Sequence, residues 1–233
     1  MKILIVSATS AEIEPVIKWL DPPSRPHEQP FQYKYREYTV DVLITGVGMV
    51  ATAYHLGRYF GQNIPDLAIN AGIAGSYDPS VTLGSVLNIF EDGVDDFGAS
   101  EREGFKTVFE LGLADPDLLP YSNGKLQNIE QLPLTLTSTS IFGNLIRNRG
   151  LTTNTIKENL SAQDVLRKAN EAGVESMEGA AFFYACISAH VPAIQLRAVS
   201  NYVGERDKSK WAMALAIKNL NQTLKNLMVE IYQ

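Results

Sequence analysis

The chain reads as a single α/β domain, and three observations carry that reading. Its 233 residues are enough to bury one large core. Short β-branched apolar runs, residues 2–8 first among them, alternate with stretches of helical periodicity, the pattern of strands buried in a sheet covered on both faces. No internal repeat and no low-complexity linker divides the sequence.

After the first strand, Thr9-Ser10-Ala11-Glu12 fits a capping box, and Ile13, Val16, Ile17 and Leu20 supply the apolar face of the helix it opens. Glu12 is then either the capping partner of Thr9 or a carboxylate at the end of a first strand, pointing into the usual ligand crevice of an open α/β sheet. Residues 21–30 are rich in proline and read as an exposed loop. Residues 31–38 and 39–45 form a hairpin that ends at Gly46-Val47-Gly48, a tight turn feeding a helix over 49–60. The full dinucleotide fingerprint is missing at this turn, which argues against a nicotinamide cofactor.

A short strand over 66–70 runs into Ala71-Gly72-Ile73-Ala74-Gly75-Ser76, where small residues let the backbone approach a ligand or a neighbouring helix closely. Residues 81–90 are expected as a strand and the acidic 91–98 as a solvated or interface loop. The stretch 102–132 reads as loop and insertion, 134–139 as a strand and 161–172 as a modest helix. Met177-Glu178 precedes the small and apolar run Gly179-Ala180-Ala181-Phe182-Phe183, so the Glu178 carboxylate is expected at a strand-to-helix junction facing a cleft. The alternative is a surface residue favoured by the helix dipole. A strand over 191–199 leads through Ser200-Asn201 to a last helix whose apolar face carries Trp211, Ile217, Leu220, Leu224, Leu227 and Ile231.

Composition narrows the function. Lys plus Arg is 20 against Asp plus Glu at 26, a net charge of −6 without a strong basic block, which argues against nucleic acid as the main partner and favours a small molecule. Cys186 is the only cysteine and lies in an apolar run, so it is expected in the core, and a reducing, cytoplasmic compartment is expected with it. The opening apolar run is too short for a signal core or a membrane span. His27, His55 and His190 are scattered, and no metal site is expected.

With Glu12, Gly46-Val47-Gly48, Asn70-Ala71-Gly72-Ile73-Ala74-Gly75, Met177-Glu178-Gly179 and Ser200-Asn201 at predicted strand ends in this order, the chain resembles the nucleoside phosphorylase and nucleosidase superfamily over nearly its whole length. The resemblance implies one α/β domain with a central mixed sheet flanked by helices, assembled as a homodimer or larger homo-oligomer in which a neighbour's loop can complete the pocket. It implies no cofactor, no metal and no membrane. The segment from Ser200-Asn201-Tyr202 to Trp211 looks most like the futalosine hydrolase branch, enzymes of an alternative menaquinone pathway.

Carried over residue by residue, the resemblance makes Glu178 the acceptor of the ribose hydroxyls, Met177 an apolar wall beneath the sugar, and Glu12 the base that activates water. Gly48, Ile73, Ala74 and Gly75 become substrate-binding positions. Trp211 is expected in the aromatic mouth that a carboxyphenyl substituent requires, with plain core packing as its alternative, and Arg206 is placed to meet the carboxylate. Phosphorylases hold phosphate with an Arg and a Ser where this chain has Asn70 and Ile73, a poor anion cradle, so water is expected as nucleophile. Adenine-directed nucleosidases carry an Asp at Asn201. An Asn amide donates toward N7 and a 6-oxo group, which makes hypoxanthine the expected leaving base and puts Asn201 in the catalytic set. Asp207 is either a proton source or a partner of Arg206. A methylthioadenosine/S-adenosylhomocysteine nucleosidase is disfavoured by Asn201 and a purine nucleoside phosphorylase by Ile73. A non-catalytic nucleoside-binding protein is disfavoured by the presence of both Glu12 and Glu178.

Overall fold

A computed structural model describes residues 1–20, 29–102, 104–128, 140–158, 161, 168 and 171–232. The expected strand over 134–139, most of the Pro-rich loop and most of the helix over 161–172 lie outside the described residues.

The centre of the molecule is β1 (Lys2–Ser7), flanked in parallel by β3 (Tyr38–Ile44) and β4 (Leu67–Ser76). β2 (Phe31–Tyr35) completes the predicted hairpin on β3. On the other side, β11 (Ala193–Tyr202) runs parallel to β4 and antiparallel to β5 (Val86–Val94), which pairs in turn with β9 (Ile146–Thr152) and the short β8 (Leu126–Gln127). β10 (Val174–Ser176) pairs in parallel with β9 and antiparallel with β4, so this half of the sheet curls back on itself. The sheet is mixed, as expected. β6 (Gly98–Glu101) and β7 (Gly104–Thr107) form a separate hairpin, and β7 falls in the stretch 102–132 expected as loop and insertion.

Helices cover both faces because the strands are apolar on both. α1 (Ser10–Ile17) and α4 (Met213–Ile231) pack on the face that presents Ile3, Ile5, Ile69, Ile194 and Leu196. α2 (Met49–Phe60) and α3 (Gly179–Ser188) pack on the opposite face, over Leu4, Val6, Leu87 and Ile89. Cys186 is fully buried there, as its apolar surroundings in sequence predict.

Four expectations need correction. The strand expected over 66–70 does not end there: residues 71–76 continue β4, paired with β11 and, at the end, with β10. Residues 81–85 are turns, with Gly84 at φ +87°, and β5 starts at Val86; Val81 and Leu83 supply apolar packing without being strand. Glu91 to Val94 belong to β5 and not to a solvated loop, because buried partners satisfy Asp92. β9, with Arg147, Asn148 and Arg149 in sequence, lacks the apolar run by which a buried strand is read and was not expected.

Candidate active site

One cleft of about 310 Å³ opens where the C-terminal ends of β1, β4 and β11 meet the N-terminal ends of α1 and α3. Glu12 enters it from α1. The capping and functional readings turn out to use the same side chain: Oε2 accepts from the Thr9 N–H and hydroxyl, both at 2.9 Å, and from Ser7 Oγ at 3.2 Å, while Oε1 accepts the Ile73 N–H at 3.1 Å. Pro15 stands inside this helix, and the Val16 N–H donates to Asn221 Oδ1 of α4 at 3.0 Å. Asn221 Nδ2 donates to the Glu12 carbonyl at 2.7 Å. The Asn221 amide thus stands in the Glu12–Val16 step of the helix ladder and ties the Glu12 backbone to α4.

Glu178 faces Glu12 from the junction of β10 and α3, where the sequence predicts it. It is 6% exposed, and Oε1 accepts the Gly48 N–H at 3.0 Å. Gly48 can aim that N–H because its φ is +96°, a region that L side chains rarely adopt. Gly48 therefore supports a carboxylate and is not itself in the cleft lining; Val47 takes that place.

Beneath Glu178 runs a buried polar chain that the sequence reading missed. Arg197, 2% exposed, sits in the middle of β11 with Nη1 3.8 Å from Glu178 Oε2. Its Nε donates to Gln195 Oε1 at 2.9 Å and its Nη2 to Asn70 Oδ1. Gln195 Nε2 continues to Asp92 Oδ2 at 3.1 Å, and Asp92 Oδ1 accepts from Thr152 Oγ1 at 2.9 Å. Burial pushes the Asp92 carboxyl up to about 6 against the pull of these partners. Asn70 is thus committed to Arg197 and to the Val6 carbonyl. The available signal was Gln195 and Arg197 two apart in an apolar strand, hence on one face of it. Gly72 separates Arg197 from Glu12: a Cβ there would run into Nη1 and lie 3.1 Å from Glu12 Oε1.

At the far end, a bulge between Val199 and Asn201 breaks the register of β11 on β4 and sets Asn201 opposite Gly75. Such an extra residue re-aims the following side chain, here into the cleft. Asn201 Oδ1 accepts from Ser200 Oγ at 2.8 Å, and Nδ2 donates to the Tyr202 carbonyl at 3.0 Å. Glu175 borders the same end. Burial raises its carboxyl, opposed by the Tyr77 hydroxyl that donates to it at 2.5 Å and by Lys168.

The mouth carries Trp211, two residues ahead of α4 and half-buried, with its Nε1 donating to the Glu205 carbonyl at 2.9 Å. The exposed Arg206 guanidinium lies 6.0 Å from the Trp211 ring centre. Asp207 is not the partner of Arg206; it accepts the Ser209 N–H at 3.0 Å and hydroxyl at 2.7 Å, starting a single 3-10 turn. Ile73, Ala74, Gly75, Met177 and Ile156 also line the cleft. Among the described residues no three His, Cys, Asp or Glu side chains gather where a metal ion could be held.

The sequence profile of the phosphorylase superfamily matches residues 2–229, and the chain belongs to that superfamily. Within it, the chain is 30% identical to the futalosine hydrolase of Thermus thermophilus over 194 residues, covering 81% of this chain and 80% of that one. It is 30% identical over 227 residues to the futalosine hydrolase of Acidothermus cellulolyticus, covering 94% and 87%. The fold matches a futalosine hydrolase from Helicobacter pylori at a TM-score of 0.75 and 19% identity, covering 99% of this chain and 97% of that one. A 5′-methylthioadenosine/S-adenosyl homocysteine nucleosidase from Campylobacter jejuni matches it equally, at 0.75 and 19%, over 99% and 98%.

Proposed function

We propose that this chain hydrolyses the N-glycosidic bond of futalosine, releasing hypoxanthine and dehypoxanthine futalosine. The observation that carries the reading is one cleft with two buried carboxylates, Glu12 and Glu178, at one end and an amide, Asn201, at the other. Relatives at 30% identity that act as futalosine hydrolases support it. Fold alone does not separate them from the thio-nucleosidases; the amide at Asn201 favours the hydrolase, because its free N–H is a donor where a 6-oxopurine has acceptors.

In this reading Glu178 accepts hydrogen bonds from the ribose 2′ and 3′ hydroxyls, and its charge, held by Gly48 and Arg197, stabilises the positive charge that grows on the sugar as the bond breaks. Met177 supports the sugar from below. Glu12 takes a proton from the attacking water. The glycosidic electron pair passes to the purine, and Asn201 donates the N–H that Tyr202 leaves free to the charge that develops on the N7 and O6 side of the ring. Trp211 and Arg206 receive the carboxyphenyl group. Phosphate has no place in the step: Asn70 is spent on Arg197 and Ile73 offers only its backbone.

The test is chromatography of free base after incubation in phosphate-free buffer with futalosine, inosine, methylthioadenosine and S-adenosylhomocysteine in parallel. Hypoxanthine from futalosine is expected; adenine from the thio-nucleosides, or a rate that requires phosphate, would overturn the assignment.

The same reading includes a homodimer in the cytoplasm. Exposed Val50 and Tyr54 on α2, Tyr184 on α3 and Phe97 form an apolar face, and Val50, Phe97 and Tyr184 border one groove. A lone buried thiol accords with a reducing compartment. No helix among the described residues is long and apolar enough to cross a membrane. Light scattering during gel filtration is expected to give twice the chain mass, and a monomer would remove the dimer from the proposal.

A further inference from the structure

Two chains of hydrogen bonds converge on Asp92, and both come from the surroundings of Glu178. The first starts at the backbone. Glu178 is the residue before α3, and in the first turn of that helix the Ala180 N–H donates to Thr152 Oγ1 at 2.8 Å. The Thr152 hydroxyl donates onward to Asp92 Oδ1 at 2.9 Å. The second starts at the side chain. Arg197 Nη1 lies 3.8 Å from Glu178 Oε2 and above Gly72, where a Cβ would run into it. From behind, the guanidinium is fixed by Asn70 on Nη2 and by Gln195 Oε1, which accepts from Nε at 2.9 Å. Gln195 Nε2 then donates to Asp92 Oδ2 at 3.1 Å.

The directions of these bonds are forced. A guanidinium only donates, so the Gln195 oxygen has to face Arg197 and its NH2 has to face the other way. An ionised carboxylate only accepts, and Asp92 is the group at which both chains end. Thr152, Gln195 and Asp92 are all buried. Gly179, first in α3 and next to Glu178, makes room for the meeting point, since a Cβ there would overlap both Asp92 Oδ2 and Gln195 Oε1. Buried polar groups paired in this way hold one another in a single arrangement.

We propose that Asp92 is a positioning residue for the hydrolysis, holding the start of α3 beside Glu178 through Thr152 and the cation that faces the Glu178 carboxylate through Gln195. The inference rests on the hydrolase reading above and extends it to groups that do not touch substrate. An amide at position 92 cannot end both chains. If its oxygen serves Thr152, its NH2 meets the Gln195 NH2. Turning Gln195 over to accept from it presents that NH2 to Arg197 Nε, donor to donor. Either way the guanidinium loses part of its tether. Adding Gln195→Glu to Asp92→Asn restores every direction, because the new carboxylate accepts both from Arg197 and from the amide.

The experiment measures steady-state futalosine hydrolysis by the full chain as wild type, Asp92→Asn, Gln195→Glu and the double variant, each shown to be folded by near-UV circular dichroism. The Glu178 charge counts most when the sugar has become positive, so Asp92→Asn is expected to lower kcat by about 10–100-fold and to move KM less. Gln195→Glu alone sets two carboxylates face to face and is expected to lower kcat as well. The double variant is expected to return to within about threefold of the wild type, since its donors and acceptors match again. A role confined to stability would shift the melting temperature and leave kcat of the folded variants alone. Wild-type kcat in folded Asp92→Asn overturns the inference, as does a double variant no faster than Asp92→Asn. Should Asp92→Asn not fold, Gln195→Met cuts the link to Arg197 and leaves Thr152 its acceptor, and an unaltered kcat there overturns the inference too. Futalosine left intact by the wild type sinks the hydrolase reading itself. The same comparison then runs on whichever nucleoside of the parallel assay releases base, and release from none overturns both.

Discussion

Glu12 shows how a single side chain meets a local and a global demand together. One carboxylate oxygen closes the first turn of α1 through Thr9, and the other turns toward β4 and the cleft. Gln is an equally good residue for that capping position but a far weaker base. Glu12→Gln is therefore expected to leave the melting temperature within a few degrees of wild type and to lower kcat by about 10²–10⁴-fold. Steady-state kinetics on futalosine checks this, and a kcat within threefold of wild type would remove Glu12 from the mechanism. Asn201 is a matching problem of donors and acceptors. Asn201→Asp replaces the amide donor with a group that can accept from a 6-amino substituent. The ratio of adenine release from methylthioadenosine to hypoxanthine release from futalosine is expected to rise by at least about tenfold. An unchanged ratio in parallel chromatographic assays would mean that the base is read elsewhere.

Between elements, the contacts that matter most are those that hold helix termini over strand ends. Asn221 is the clearest. Its amide pairs the Glu12 carbonyl and the Val16 N–H beside Pro15, so Asn221→Ala removes two buried hydrogen bonds to the backbone and frees the turn that carries Glu12. A loss of about 2–4 kcal/mol in denaturant unfolding is expected, together with a lower kcat; a loss under 1 kcal/mol would mean that another group takes over the bridge. The case also marks where sequence stops being informative. The capping box of Thr9 and Glu12, the Gly46-Val47-Gly48 turn and the apolar stripe of α4 are local patterns, and each is legible within a dozen residues. Asn221 lies 209 residues from Glu12 and reads only as a polar interruption of that stripe until α1 is laid against it. Arg197 and Asp92 were lost for the same reason, since a buried charge is satisfied by partners on other strands. β9 was lost because Arg147 and Arg149 hide a strand whose buried residues are its last three, Gly150 to Thr152. The bulge that turns Asn201 into the cleft belongs to a register between two strands, and no pattern in one strand encodes it.

At the scale of the molecule, the sheet curls because β10 bonds both to β9 and to β4, and Asp92 sits at the seam of that closure. There it accepts from Thr152, whose hydroxyl oxygen also receives the Ala180 N–H in the first turn of α3. It reaches Arg197 through Gln195, and the backbone crowds it: a Cβ on Gly150 would lie 2.5 Å from Asp92 Oδ2, and one on Gly179 would overlap it. Burial makes the carboxyl resist ionisation and pushes it up to about 6 from the ordinary 3.8. Between those two values the folded chain binds more protons than the unfolded one, so this group's contribution to stability is full below pH 4 and falls as the pH rises through 6. The loss amounts to roughly 3 kcal/mol by neutral pH. Asp92→Asn removes the titration while keeping an oxygen for Thr152; the amide facing Gln195 lowers stability at every pH without adding a slope. Unfolding free energies of both proteins from pH 4 to pH 7 separate the two effects. Relative to the variant, the wild type is expected to lose stability across that range, by most of that roughly 3 kcal/mol. Parallel curves would mean that Asp92 keeps its charge throughout, held by Arg197 through Gln195 strongly enough to overcome its burial.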